Sequence, residues 1–147
     1  MAVHKIDGVD GVNHFPKKLV TLYASAACTA GKFVAITTDT TNGLGASVSD
    51  AAVGPGSTEA NGLTFGIATE TVAAGANVVV QTAGKYENAS VASSTAAGDA
   101  LTGPLSGGTA GMADRLAETT FGATVAVALE AESSNLANVM IVDQGFF

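Results

Sequence analysis

Residues 66–86, GIATETVAAGANVVVQTAGKY, and residues 126–147, AVALEAESSNLANVMIVDQGFF, follow the same pattern. Each stretch has a short apolar segment that ends in Glu, a polar gap, a run that begins Ala-Asn-Val, and then a Gly. Two β-rich apolar segments that are separated by a polar turn are typical of paired strands. The sequence therefore predicts two similar strand units within one short chain.

The two stretches align at several chemically distinctive positions. Glu70 aligns with Glu130, and Asn77 aligns with Asn138 after one extra residue in the second stretch. Further upstream, AGKFVAIT from residue 30 aligns with AGDALTG from residue 97. We interpret the halves as a pseudo-repeat whose small apolar faces pack together, which neither half could bury alone. Chance similarity in a chain rich in Ala, Val and Gly is the alternative.

The remaining sequence favours short strands and Gly-rich turns. Strands are predicted in residues 17–28, 30–37, 63–70 and 77–90, where β-branched and aromatic residues are frequent. Residues 38–62 are predicted to be a long loop, because they contain several Gly and no helical periodicity. The segments SDAAV and ADRLAET are each compatible with a turn or two of helix. Seven or more short strands predict an all-β fold, a small β-barrel or sandwich built from the two repeated units.

The scarcity of large side chains and the negative net charge bear on how the protein is stabilised and on which partners it can bind. The 147-residue chain of 14.4 kDa has 47% hydrophobic residues but no Trp, two Tyr and six Phe. Large side chains contribute roughly 1.5–3 kcal/mol each when buried, so this core is thin and we expect subunit contacts to complete it. Six Lys and Arg and a net charge of −7 argue against nucleic acid as a partner.

The N-terminal residues differ from the rest of the chain. Residues 1–16 combine turn residues, scattered Val and a Pro, which predicts an extended arm ahead of a single β-rich domain in residues 17–147. Charges interrupt the position of a signal-peptide core, and no apolar run is long enough to span a membrane. Four apolar residues near the chain ends are predicted to contact a neighbouring subunit or a partner protein, although Phe146 and Phe147 could equally cap the body's own core: Val12, Phe15, Phe146 and Phe147.

The chain lacks the usual catalytic and metal-binding motifs. Cys28 is the only cysteine, and His4 and His14 are too few and too far apart for a zinc site. ACTAGKF lacks the first Gly of a phosphate-binding loop, DGVDG lacks the later ligands of a calcium loop, and no Gly-x-Ser-x-Gly elbow occurs. We therefore predict no catalytic residue, no metal, no cofactor, and a protein that is not an enzyme.

The order of three segments gives a more specific expectation. AGKFVAIT, FGIATETVAAGANVVVQTAGKY and AGDALTG followed by VAVALEAESSNLANVMIV resemble, over residues 17–142, the capsid decoration (cement) proteins of tailed bacteriophages. The resemblance implies a β-tulip-like body, synthesised in the host cytoplasm, on the outer surface of the virion head. It also implies homotrimers that bind the major capsid protein and clamp neighbouring subunits, with the N-terminal arm lying across the shell.

Three other functions remain open from the sequence. Another virion β-protein, such as a tail-tube or head-completion component, would assemble into rings or tubes larger than a trimer. A glycan-binding or small-molecule-binding β-module is disfavoured because such sites use aromatic platforms. An enzyme is disfavoured by the missing motifs.

Overall fold

The computed structural model describes residues 16–37, 47–51, 63–105, 108–117 and 123–145. These residues contain no helix, and the prediction of an all-β fold of the small-barrel type is confirmed. The nine strands in the described ranges are β1 (Lys18–Ala24), β2 (Phe33–Thr37), β3 (Ser47–Asp50), β4 (Thr64–Ala68), β5 (Asn77–Ser90), β6 (Ala100–Thr102), β7 (Asp114–Arg115), β8 (Ala126–Ala128) and β9 (Leu136–Ile141).

The two segments considered for helical turns contribute strands instead. Ser49 and Asp50 lie in β3, and Asp114 and Arg115 form β7, so the helical interpretation of these residues is wrong. β3 also interrupts the region predicted to be one long loop. It pairs with β2 on one side and β1 on the other. Pairing with distant strands, rather than local sequence pattern, therefore determines the conformation of β3.

The first five strands form a closed barrel. Their order is β1-β3-β2-β4-β5, and β1 pairs back with β5 to complete the circle. Neighbours are antiparallel except β1 and β3, which run parallel through Tyr23 and Ala24 opposite Ser47 and Val48. Closure leaves none of these five strands as a free sheet edge.

The second half repeats this arrangement and shares β5 with the first. Its strands are ordered β5-β9-β8-β6-β7. Val91, directly after β5, forms a parallel bridge with Ala113, directly before β7, which brings the sheet back to β5. The second half of β5 thus corresponds to β1, and β6, β7, β8 and β9 correspond to β2, β3, β4 and β5. Order and strand directions agree throughout, so the predicted pair of repeated strand units is confirmed.

Individual hydrogen bonds confirm the correspondence between the two Ala-Gly pairs. The Gly31 N–H donates to the Ala68 carbonyl at 2.9 Å, and the Gly98 N–H donates to the Ala128 carbonyl at 2.8 Å. Both glycines have positive φ, +84° and +88°, a conformation that side chains disfavour. The same backbone turn therefore precedes β2 and β6.

The second strands of the two hairpins, β5 and β9, align differently from the alignment that the sequence predicted. The Glu70 carboxylate accepts the Val79 N–H at 3.1 Å, and the Glu130 carboxylate accepts the Asn138 N–H at 3.0 Å. Val79 is therefore the structural equivalent of Asn138. The alignment of Asn77 with Asn138 is wrong by two residues. The two Ala-Asn-Val sequences are identical, but they occupy different positions relative to the turn in the two hairpins.

The two barrels are joined by a continuous core. Val34, Phe65 and Val80 lie in a cluster inside the first barrel, whereas Leu101 and Val139 belong to a second cluster. That second cluster also includes residues from the first barrel: Phe33, Ala35, Ala51 and Ile67. Alternate residues of β2 thus face different clusters, and all five residues of β4 are buried. The barrels pack as one body.

Candidate contact surface

The four residues predicted to make contacts lie outside the described residues. Val12 and Phe15 precede Pro16, where the described body begins, and Phe146 and Phe147 follow Gly145, where it ends. The structure therefore does not test their roles. It does show that the first described residue, Pro16, and the last strand's end near Asp143 lie beside the same groove on the surface.

That feature is a groove at the middle of β5. Lys18 at the start of β1 pairs with Ala83, and Ile141 at the end of β9 pairs with the neighbouring Gly84. β1 and β9 therefore meet where β5 passes from the first barrel to the second. A groove of about 560 Å³ opens there, lined by Pro16, Lys17, Lys18, Ala83, Gly84, Met140, Ile141, Val142 and Asp143.

One ion pair spans the groove from one barrel to the other. The Lys18 ammonium lies 3.2 Å from the Asp143 carboxylate, and both side chains are partly exposed. The Asp143 carboxylate also accepts the Gly145 N–H at 2.8 Å. This backbone hydrogen bond, together with Lys18, lowers the pKa of Asp143. The carboxylate thus stabilises the turn at Gly145, whose φ is +76°, on the rim of the groove.

The groove was not visible in the sequence because it is built from three separated segments. Its floor depends on Gly84, whose φ of +90° would strain any residue with a side chain at the barrel crossover. The sequence analysis noted Gly84 only as the glycine that ends the first repeated stretch. In the structure Gly84 lies where β5 passes from the first barrel to the second. Apart from Lys17, Lys18 and Asp143, the lining side chains are apolar or absent, so the groove is suited to apolar groups.

A second candidate surface lies at the turn between β8 and β9. Leu129 and Leu136 flank this turn and are both exposed. Their structural equivalents at the turn between β4 and β5 are Thr69 and Asn77, which are polar. The two barrels therefore share a backbone but present different chemistry at the same hairpin. This exposed apolar pair has no counterpart at the equivalent hairpin of the first barrel, which makes it a candidate contact surface of the second barrel.

The barrels also carry ion pairs of opposite polarity at equivalent positions. Lys32 precedes β2 and lies 3.9 Å from Asp50 at the end of β3. Asp99 precedes β6 and lies 3.5 Å from Arg115 at the end of β7. In each pair the cation is more exposed than the carboxylate, and partly exposed pairs of this kind contribute little to stability. The positive and negative residues nonetheless exchange positions between the two barrels, so the two surfaces carry different charge patterns.

The described residues offer little reactive chemistry. Cys28 is fully buried, and burial followed by the nearby Asp50 charge raises the pKa of its thiol to about 11. The thiolate is the reactive form of cysteine, so Cys28 is inert at neutral pH. Within the described ranges, no group of three or more His, Cys, Asp or Glu residues is placed to hold a metal ion. The same ranges contain no helix of the length and hydrophobicity that a membrane span requires.

Comparison with known structures finds a protein of similar fold. No protein-family model matches the chain, and no curated protein matches it. The crystal structure of the head fiber gp8.5 N base of bacteriophage phi29 is similar, with a TM-score of 0.56 and 19% sequence identity. The similarity covers 86% of this chain and 95% of that chain. The two proteins therefore share a fold over nearly the whole of the phage chain.

Proposed function

We propose that this protein is a structural component of a bacteriophage head that binds the outer surface of the capsid without catalysing a reaction. The observation that carries the proposal is the fold shared with the phi29 head fiber base, over 86% of this chain and 95% of that one. The resemblance of residues 17–142 to capsid decoration proteins supports the same location from sequence. In this function the protein cements adjacent subunits of the major capsid protein.

The architecture suits repeated attachment to a shell. Closed barrels expose few unpaired strand edges, which limits association between copies through their sheets. One hydrophobic cluster contains residues of both barrels, so the barrels are packed against each other and a contact on each can bind a different capsid subunit. Many modest contacts repeated over a lattice give strong total attachment because each bound contact raises the effective concentration of the next.

Two surfaces are proposed to make these contacts. The first is the N-terminal arm with its apolar residues Val12 and Phe15, and the second is the exposed pair Leu129 and Leu136 at the hairpin of the second barrel. The body is proposed to bind as a homotrimer. A measured native mass of three times the 14.4 kDa chain mass would support this state. A ring of six or more copies would instead favour a tail-tube or head-completion component.

The experiment is co-sedimentation of purified protein with capsids of the encoding phage that lack it. Full-length protein is expected to bind and to raise the temperature at which the heads release DNA. Deleting residues 2–14 is expected to weaken binding without changing the melting temperature of the body. Failure of the full-length protein to bind such capsids would refute the proposed function.

Matched variants test the hairpin surface in the same assay. Replacing Leu129 and Leu136 with Ser is expected to weaken capsid binding at least tenfold. The control replaces the equivalent Thr69 and Asn77 with Ala, which leaves the apolar pair intact and is expected to change binding little. Equal loss in both double variants would show that the hairpin of the second barrel has no special role.

A further inference from the structure

The N-terminal segment has an apolar residue at every third position. The intervening positions 4–14 are polar, charged or Gly. In the polyproline II conformation, which has three residues per turn, apolar residues with this spacing lie along one face. We call these five residues the arm stripe: Val3, Ile6, Val9, Val12 and Phe15.

The groove at the middle of β5 matches the arm stripe in chemistry. Ala83, Met140 and Val142 provide an apolar lining, and Val142 is exposed. Among the described residues, Lys18 is paired with Asp143 in the lining, which leaves the exposed Lys17 as the unpaired charge of the rim. Between the stripe positions the segment carries Lys5, Asp7 and Asp10, a net charge of −1 with His neutral. An extended segment with one apolar face and a small negative charge is complementary to an apolar groove with one positive charge on its rim.

The length of the segment allows it to reach a groove on another molecule. From Val3 to Phe15 an extended polyproline II segment spans about 37 Å, at about 3.1 Å per residue. A folded body of this size has a radius of gyration of about 14 Å, so the segment is about as long as the body is wide. Pro16, the root of the segment, lies on the rim of its own groove. A segment of this length can therefore cross from its own root to the groove of an adjacent copy.

We propose that the groove of each chain binds the arm stripe of a second copy of the same chain. Exchange of arms links the copies through the groove on each body, so Val12 contacts a neighbouring copy of the chain rather than the capsid protein. This assembly requires only this protein, so it can be tested without capsids. Its failure would leave the proposed attachment to phage heads unaffected.

Disulfide trapping between two single-cysteine variants tests the proposal. Val12→Cys is mixed with Val142→Cys under mild oxidation at high protein concentration. A disulfide-linked heterodimer is expected, because residue 12 of one chain would lie in the groove of the other. The control mixes Asn13→Cys, one position off the stripe, with Val142→Cys, and is expected to give at least fivefold less product. The native Cys28 is fully buried and serves as background in every sample.

Three outcomes would overturn the proposal. The first is no heterodimer above the level that either variant gives alone. The second is equal trapping with Asn13→Cys. The third is trapping only when both cysteines are in one chain and the product is monomeric, which would place the arm on its own groove.

The equilibrium mass of charged variants provides an independent measurement. Val12→Asp is expected to reduce the native mass to that of a single chain, whereas Asn13→Asp retains the wild-type mass. Unchanged melting temperatures in both variants would show that the body stays folded. If Val12→Asp keeps the wild-type mass, or if only removal of Phe146 and Phe147 lowers it, arm exchange is wrong.

Discussion

Replacing Gly66 with Ala tests how closely β4 and β5 approach in the first barrel. A Cβ at this position would lie 2.6 Å from the Gln81 carbonyl oxygen and 2.7 Å from a Val80 methyl carbon. The first distance is about 0.8 Å shorter than the 3.4 Å at which ordinary contact begins. The methyl carbon can rotate away, but the carbonyl belongs to the backbone of β5, so the two strands must separate.

The expected cost follows from this geometry. Overpacking a filled site costs about 1–3 kcal/mol, and the lower entropy of an unfolded Ala offsets about 0.4–1 kcal/mol. A net loss of about 1–2 kcal/mol in the free energy of unfolding is therefore expected. For a chain of this length, the melting temperature should fall by about 2–8 °C in scanning calorimetry.

Two positions provide comparisons for Gly66→Ala. Ala126 is the equivalent of Gly66 in β8 and is fully buried, so the second barrel accommodates a methyl group at the same place. At Gly103 an added Cβ would lie 2.5 Å from Oγ1 and 3.2 Å from Cβ of the buried Thr64, so Gly103→Ala is a second crowded position that should also lower stability. The close approach of β4 and β5 would be refuted if Gly66→Ala were as stable as the wild type.

Further changes probe the core, a hairpin and the buried thiol. Leu101→Ala removes a fully buried side chain inside the second barrel and should lower the free energy of unfolding by about 2–5 kcal/mol in urea titrations. Glu130→Ala removes the acceptor for the Asn138 N–H and should cost about 0.5–1.5 kcal/mol by the same titration. Arg115→Ala should change that free energy by less than about 1 kcal/mol, because the Arg115 side chain is largely exposed. The thiol of Cys28 should react with Ellman's reagent at pH 8 only at the rate of unfolding. Because folding raises its pKa from 9.0 to about 11, its contribution to stability is fully present below pH 9 and should be lost as the pH rises to about 11.

Local sequence pattern was sufficient to predict several elements. The predicted strand at residues 77–90 coincides with β5, because its run of Val and the later Tyr favour extended structure on a buried surface. The Ala-Gly turns before β2 and β6 were also aligned correctly. Glycine at a position with positive φ leaves a clear signal, since few other residues tolerate that conformation.

Features that depend on distant pairing were not predicted. β7 has only two residues, Asp114 and Arg115, whose polar character gives no strand pattern. Their conformation comes from pairing with Thr102 and Leu101 in β6. The sharing of β5 by both barrels was missed for the same reason, since no local pattern shows that a strand changes partners at Gly84.

The candidate surfaces were predictable only in part. Sequence drew attention to large apolar residues near the chain ends, and those ends attach beside the groove. The groove itself depends on the meeting of β1, β5 and β9, which a single sequence does not specify. The sequence alignment already placed Thr69 opposite Leu129, whereas the contrast between Asn77 and Leu136 became visible only when the hydrogen bonds corrected the alignment of β5 with β9.

The central claim is that this duplicated barrel protein sits on the outside of a phage head. The most direct test is a cryo-EM reconstruction of heads from the encoding phage, with fitting of the two-barrel body into density outside the shell. The account predicts density of this shape on the outer surface, above the junctions where major capsid protein subunits meet. Bare junctions in heads that contain the protein, or two-barrel density found only in the tail, would contradict it.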